Sequence, residues 1–327
     1  VRSRAVAWLP PTPPGAALSG LEAVQAVADG TLPAPPFAVL MGLSTSHAEP
    51  GLVRMALTPG EFHYNPIGMV HGGVAATMLE TALAASVRTM VPAGRTCLTL
   101  EIKVNYVRAM TVATGVVTAE GRVVHAGRQV ALAEGRVTDA GGRLYATASS
   151  TCLVTDSPPP PGPSPDAERC RLVTWDDPVA NLQRTRGLSG LGAVRHRSFA
   201  PPIAALLGTE MGAVERGRVS MTLAPGEHLF SQFGAVHGGM TATLLDSVMG
   251  CAVHSTLPAG KAFTTLEIKV SFLRAMNAAS GLLTATGQVQ HEGRRMVAAD
   301  AGVTDAKGRL CATATTTCLV FDARAPA

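Results

Sequence analysis

Two places in this 327-residue chain set a histidine and two glycines ahead of a carboxylate nine residues beyond the histidine: His71-Gly72-Gly73 with Glu80, and His237-Gly238-Gly239 with Asp246. Both stretches are otherwise apolar. Glu80 is the only charged residue between His71 and Arg88, and Asp246 the only one between His237 and Lys261 apart from His254. If each glycine pair opens a helix, its first-turn amides are unpaired and carry a partial positive charge, which stabilises a carbonyl oxygen that is becoming negative. Glycine lets an acyl group approach those amides closely. A carboxylate in an apolar helix is costly to bury without a purpose, and it can serve as general base or as nucleophile. Gly72 and Gly238 are thus candidate oxyanion donors, and Glu80 and Asp246 the candidate acids. The plainer alternatives are glycines that only permit tight packing and acids that face solvent or pair with arginine. Recurrence of the same types at the same spacing favours chemistry.

Helix geometry decides how these parts combine. Glu80 lies seven residues after Gly73, about 10.5 Å along one helix at 1.5 Å per residue, so it cannot reach an acyl carbon held at its own helix N-terminus. The acid has to come from another, antiparallel helix. The chain supplies one, because it is a repeat. GMVHGGVAATMLET (Gly68 to Thr81) returns as GAVHGGMTATLLDS (Gly234 to Ser247) with 8 of 14 residues identical, and LTLEIKVNYVRAM (Leu98 to Met110) returns as TTLEIKVSFLRAM (Thr264 to Met276) with 9 of 13. Both pairs are offset by 166 residues, as are Pro35-Pro36 with Pro201-Pro202 and Cys152 with Cys318. Upstream, LSGLEAV (Leu18 to Val24) matches LSGLGAV (Leu188 to Val194) at an offset of 170. Between the copies lies DSPPPPGPSPD, a proline-rich stretch of the kind that forms a semi-rigid spacer. The expected organisation is a first domain with its leader over 1–155, a linker over 156–166 and a second domain over 167–327.

The elements that must position these residues follow from periodicity. From Gly72 to Met90 there is no proline, and Pro92 and Gly94 close the segment, which reads as a helix of about 18 residues that is apolar nearly all round and therefore buried. Thr99 to Arg108 alternates Leu100, Ile102, Val104 and Tyr106 against Glu101, Lys103 and Asn105, a strand with one buried face. Gly115 to Val124, Arg128 to Thr138 and Arg143 to Val154 read as further strands, and Leu52 to Leu57 as one before the helix. Each copy is then an α+β unit, an antiparallel sheet wrapped on a long central helix, which is the hotdog arrangement.

The run NPIGMVHGG (Asn65 to Gly73), the acid nine residues after its histidine and the strand LEIKVNYVR resemble the PaaI-like, phenylacetyl-CoA thioesterase-type branch of the hotdog thioesterases, over about 35–155 and 201–321. The resemblance implies thioester hydrolysis of an acyl-CoA, with the family's shared dimer sites built into one chain. Site one would take Asn65, His71 and Gly72 with Asp246 and Thr265. Site two would take Gln232, His237 and Gly238 with Glu80 and Thr99. An asparagine six residues before the histidine holds water or thioester in the family; Asn65 matches it, whereas the second copy has Ser231 there with Gln232 next, which marks site two as the lesser catalyst. Thr99 and Thr265 fall where relatives place a hydroxyl that helps hold the attacking water, or are ordinary β-branched strand residues. His71 and His237 are expected to shape the turn through ring hydrogen bonds rather than act as bases. Arg128 and Arg294, in the turns HAGR and HEGR, fall where relatives bring a basic residue to the CoA phosphates, or are plain exposed turn arginines. The resemblance implies no metal and no cofactor apart from the CoA of the substrate, and a dimer of two-domain chains.

Composition narrows the alternatives. A net charge of +4 with basic residues scattered singly, and only two Trp, three Tyr and eight Phe, disfavour nucleic-acid binding. Six cysteines without a CxxC pair or zinc-ligand spacing read as reduced thiols. No stretch approaches the ~20 apolar residues of a membrane span, and Pro10-Pro11 cut short the N-terminal apolar run, so the expectation is a cytoplasmic protein. A non-catalytic acyl-CoA sensor is disfavoured by the two acids. A hotdog dehydratase or hydratase needs a different His/Asp or His/Glu motif, which is not found.

Overall fold

A computed structural model describes residues 1–15, 17–156, 170–177, 201–258 and 260–322. In chain order the elements are β1 (Arg2–Ala7), α1 (Gly20–Ala28), α2 (Pro36–Met41), β2 (Leu43–Glu49), β3 (Leu52–Leu57), α3 (Gly72–Arg88), β4 (Arg95–Tyr106), β5 (Val117–Ala126), β6 (Val130–Asp139) and β7 (Leu144–Asp156). They continue as β8 (Cys170–Trp175), α4 (Pro202–Leu207), β9 (Thr209–Glu215), β10 (Arg218–Leu223), α5 (Gly238–Thr256), β11 (Lys261–Phe272), β12 (Leu283–Glu292), β13 (Met296–Thr304) and β14 (Leu310–Asp322). Twelve strands form one antiparallel sheet in the order β2-β3-β5-β6-β7-β4-β11-β14-β13-β12-β10-β9, so the two copies join edge to edge through β4 and β11. Lys103 faces Lys269 at the centre of that junction, and Lys269 Nζ is neutralised by Glu101 Oε2 at 2.9 Å.

The sheet wraps the two long helices because those helices offer no polar face to water. Val74, Ala76, Met78, Leu79, Ala82 and Leu83 of α3 are fully buried, as are Met240, Ala242, Leu245, Val248, Met249 and Val253 of α5. The helices run against each other with small residues at the crossing. A methyl group on Gly73 would lie 2.6 Å from Thr243 Cα, and one on Gly239 would lie 2.6 Å from Thr77 Cα, distances that no real carbon contact tolerates. Thr243 Oγ1 donates to Gly73 O at 3.0 Å, and the Thr77 and Thr243 hydroxyls meet at 3.3 Å. This reciprocal packing sets each helix N-terminus beside the middle turns of the other.

Three features depart from the alternation seen in the sequence. β2 precedes β3 as an additional edge strand, hidden by its polar composition. The N-terminal Arg2–Ala7 pairs antiparallel with β8, Arg2 opposite Trp175 and Ala7 opposite Cys170, which ties the leader to the second copy. Within β4, Leu100 is not on the buried face. A bulge between Thr99 and Glu101 shifts the register against β7, so Leu98 and Leu100 are exposed (48% and 38%) while Cys97 and Thr99 turn toward α3. The same bulge lies between Thr265 and Glu267. An extra residue reverses which face the preceding side chains occupy, and that is what aims both threonines at the helices. Most of the proline-rich linker and the second leader motif, Leu188 to Val194, lie outside the described residues. Among the described residues no helix is long and apolar enough to cross a membrane.

Candidate active site

At the N-terminus of α5 the histidine caps its own helix: His237 Nδ1 accepts from the Gly239 amide at 3.1 Å. A nitrogen that accepts an amide proton carries none of its own, so the ring proton sits on Nε2, where it faces Glu80 Oε2 of the first copy at 3.0 Å. The other carboxylate oxygen accepts from Thr99 Oγ1 at 2.8 Å. Glu80 is buried and stands against the helix start, its Oε1 2.9 Å from where a methyl on Gly238 would be. Burial alone pushes its pKa up, but the nearby His237, the Thr99 hydroxyl and more distant Arg88 together outweigh that and hold it below the usual glutamate value. Phe37 stacks flat on the His237 ring, centroids 3.6 Å apart and planes 11° from parallel.

The counterpart at the N-terminus of α3 has the same plan with looser contacts. His71 Nδ1 accepts from the Gly73 amide at 3.0 Å, and its Nε2 meets Ser247 Oγ at 3.0 Å. Asp246 of the second copy brings Oδ2 to 3.3 Å from His71 Nδ1 and to 2.8 Å from a methyl placed on Gly72, while Thr265 Oγ1 reaches Oδ1 only at 3.5 Å. Burial raises the Asp246 pKa, and His71, the Gly73 amide and Thr265 offset only part of it. Burial also lowers the pKa of His71, with Asp246 opposing. Nδ1 already accepts from the Gly73 amide, so its approach to Oδ2 is not a hydrogen bond donated by the ring.

The structure therefore brings together across the copies Gly238, His237, Glu80 and Thr99, and separately Gly72, His71, Asp246 and Thr265. It also divides the work of the two glycines: Gly73 and Gly239 serve the helix crossing, Gly72 and Gly238 face the carboxylates. Asn65 sits in the turn before α3, where its Oδ1 accepts from the amides of Ile67 at 3.0 Å and Met69 at 3.1 Å. Ser231 makes the shorter version of that turn, its Oγ accepting from the Phe233 amide at 3.3 Å. Gln232 is half-buried in the same turn. Arg128 and Arg294 are exposed in the β5–β6 and β12–β13 turns. Ala131 and Cys152 stand in line with Thr99 across the sheet, and Arg128 lies in the turn three residues before Ala131. Phe37, Ser247 and Tyr106 are site residues that motif spacing did not reveal. The one sequence signal for Tyr106 is its exchange for Phe272, one of four differences between the two 13-residue stretches.

The thioesterase superfamily model matches residues 67–146 and 233–312, once in each copy. A protein of Saccharolobus solfataricus named as an esterase is 32% identical over 115 residues, which cover 35% of this chain and 75% of that protein. The 1,4-dihydroxy-2-naphthoyl-CoA hydrolase of Listeria monocytogenes is 27% identical over 104 residues, 32% of this chain and 83% of its own length. Among solved structures, the TesB protein of Mycobacterium avium subspecies paratuberculosis aligns with a TM-score of 0.55 at 14% identity, covering 92% of this chain and 99% of that one. At that identity the likeness is one of fold, and it extends over both copies.

Proposed function

The chain belongs to the thioesterase superfamily as a tandem of two hotdog domains, and from that premise we propose that it hydrolyses acyl-CoA thioesters at two composite sites. It is a thioester hydrolase; the CoA class and the sites are our reading. The observation that carries the reading is the pairing across copies of a buried carboxylate with a glycine at a helix start, Glu80 with Gly238 and Asp246 with Gly72. The amide of Gly72 or Gly238 polarises the thioester carbonyl, and negative charge developing on its oxygen meets the positive end of the helix. The carboxylate across the interface either takes a proton from water as that water attacks, or attacks the carbonyl itself. In the first route the C–O bond forms from water, the C–S bond breaks, and the proton taken by the carboxylate passes to the departing thiolate. In the second the carboxylate's own C–O bond forms as the C–S bond breaks, and water then hydrolyses the mixed anhydride, releasing the acid and supplying the proton that the thiolate takes up. The threonine hydroxyl holds the carboxylate in line, and the histidine fixes the first helical turn. Arg128 and Arg294 are the cations available to the phosphates of CoA. The reading needs no metal and no cofactor beyond the substrate's own CoA. A panel of acyl-CoAs incubated with a thiol reagent tests it: one thiol is released per acid formed, and a panel without thiol release by the intact chain removes the reading.

The unequal carboxylates lead to a pH prediction. A chain carrying Glu80→Gln keeps only site one, and one carrying Asp246→Asn keeps only site two. Site one needs ionised Asp246, whose pKa is raised, so its rate is lost at a pH above the ordinary aspartate value. Site two needs ionised Glu80, whose pKa is lowered, so it works on to a pH below the ordinary glutamate value. In kcat–pH profiles the acid limb of the Glu80→Gln chain is expected above the ordinary aspartate value and that of the Asp246→Asn chain below the ordinary glutamate value; a displacement of either limb in the other direction would contradict the assignment.

A further inference from the structure

One difference between the two sites is a single oxygen atom. Position 106 in β4 is tyrosine, and its equivalent 166 residues on, position 272 in β11, is phenylalanine. Their rings occupy matching places: Tyr106 Cζ lies 3.2 Å from a methyl built on Gly72, and Phe272 Cζ lies 3.2 Å from one built on Gly238. The fold thus needs a ring here and is satisfied by phenylalanine. What tyrosine adds is a hydroxyl, which lies 3.4 Å from the Gly72 methyl position, on the same side as Asp246 Oδ2 at 2.8 Å. That hydroxyl is buried and has no hydrogen-bond partner among the described residues.

An unsatisfied buried hydroxyl costs free energy, and in native proteins such a group calls for an explanation. Packing does not supply one, since Phe272 does the packing without it. Position does. The oxygen lies beside the residue whose amide starts α3, within reach of an acyl oxygen held on that amide. Resting on the thioesterase reading above, we propose that the Tyr106 hydroxyl is a second donor to the thioester oxygen at site one, acting with the Gly72 amide, and that site two lacks this donor because Phe272 replaces it. Burial, with Asp246, Glu267 and Cys318 nearby, pushes the phenol's pKa up, so it keeps its proton and stays a donor across the working range. The bond strengthens as the acyl oxygen becomes negative, so its loss falls on kcat more than on KM. Site one therefore offsets its loosely held Asp246 with an additional donor, while site two relies on a well-held Glu80 and one amide.

The test uses the full chain carrying Glu80→Gln, in which site one works alone. Adding Tyr106→Phe is expected to lower kcat by about 10²-fold, the usual cost of one oxyanion donor, with KM little changed. The thermal midpoint is expected to hold or rise, because an orphan buried hydroxyl has been removed. A kcat within twofold of the Glu80→Gln parent overturns the proposal, as does a fall in kcat accompanied by a lowered midpoint, which would mark a packing role. Hydrolysis by the unmodified chain but none by the Glu80→Gln parent also overturns it, since site one would then turn nothing over. If the unmodified chain itself hydrolyses no acyl-CoA, the thioesterase reading falls, which is a different result from any of these.

Discussion

Replacing both buried acids at once, Glu80→Gln with Asp246→Asn, is expected to lower acyl-CoA hydrolysis by about 10³-fold or more, within the range attributed to a positioned general base or nucleophile. Amides are the right substitutes because they keep shape and volume. Both acids are buried, at 4% and 6% exposure, and truncation to alanine would leave cavities that confuse loss of chemistry with loss of packing. The amide side chains still accept from Thr99 and Thr265, so the helix crossing and the threonine contacts survive while the ability to take a proton or form an acyl bond is gone. Each single replacement should leave the rate of the other site. Steady-state rates with circular dichroism of the same samples check this. A folded double variant that hydrolyses at the unmodified rate would show that neither acid takes part in the reaction.

The parts of this site visible in the sequence were those with a one-dimensional signature. Glycine pairs before a helix, a single acid in an apolar stretch and an offset of 166 residues are all countable, and the helix rise forced the crossed pairing of Glu80 with Gly238 and Asp246 with Gly72. The fold followed from the same periodicities, apart from segments whose hydrophobic pattern is weak. β2 is a mostly polar edge strand, and β1 has only the short leader run to announce it. The bulge at Leu100 was hidden for a different reason. Leu98 and Leu100 are apolar and suit strict alternation with Ile102 and Val104, and only pairing against β7 shows that an inserted residue sends them to the surface. Electrostatics were invisible because they depend on distances: Glu and Asp at equivalent places read as equals, yet against burial that raises both, His237 and the 2.8 Å Thr99 bond bring Glu80 below its ordinary value, while His71, the Gly73 amide and a 3.5 Å Thr265 bond leave Asp246 above its own. By spacing, the exchange of Asn65 for Ser231 marks site two as the weaker. Both residues cap their own turns, and the difference between the sites lies at least as much in how each carboxylate is held.

The crossed pairing makes a prediction that a one-domain site would not. In a Glu80→Gln background the second site has already lost its acid, so Gly238→Ala, which belongs to that same site, should cost little more. Gly72→Ala belongs to the surviving site. Its methyl would lie 2.8 Å from Asp246 Oδ2 and 3.2 Å from Tyr106 Cζ, between the amide and the groups that face it, so the acyl oxygen could no longer settle there. That second change should remove a further ~10² in rate, the cost of one oxyanion donor. If instead each helix worked with its own acid, Gly72 and Glu80 would belong to one site and Gly238 and Asp246 to the other, and the outcomes would exchange: Gly72→Ala would be silent and Gly238→Ala would end activity. The Asp246→Asn background gives the mirror experiment, with Gly72→Ala silent and Gly238→Ala deleterious. Because the same two glycine changes are read in both backgrounds, any general damage from the added methyl appears in both and cancels. The sign of the difference then reports which helix start works with which carboxylate.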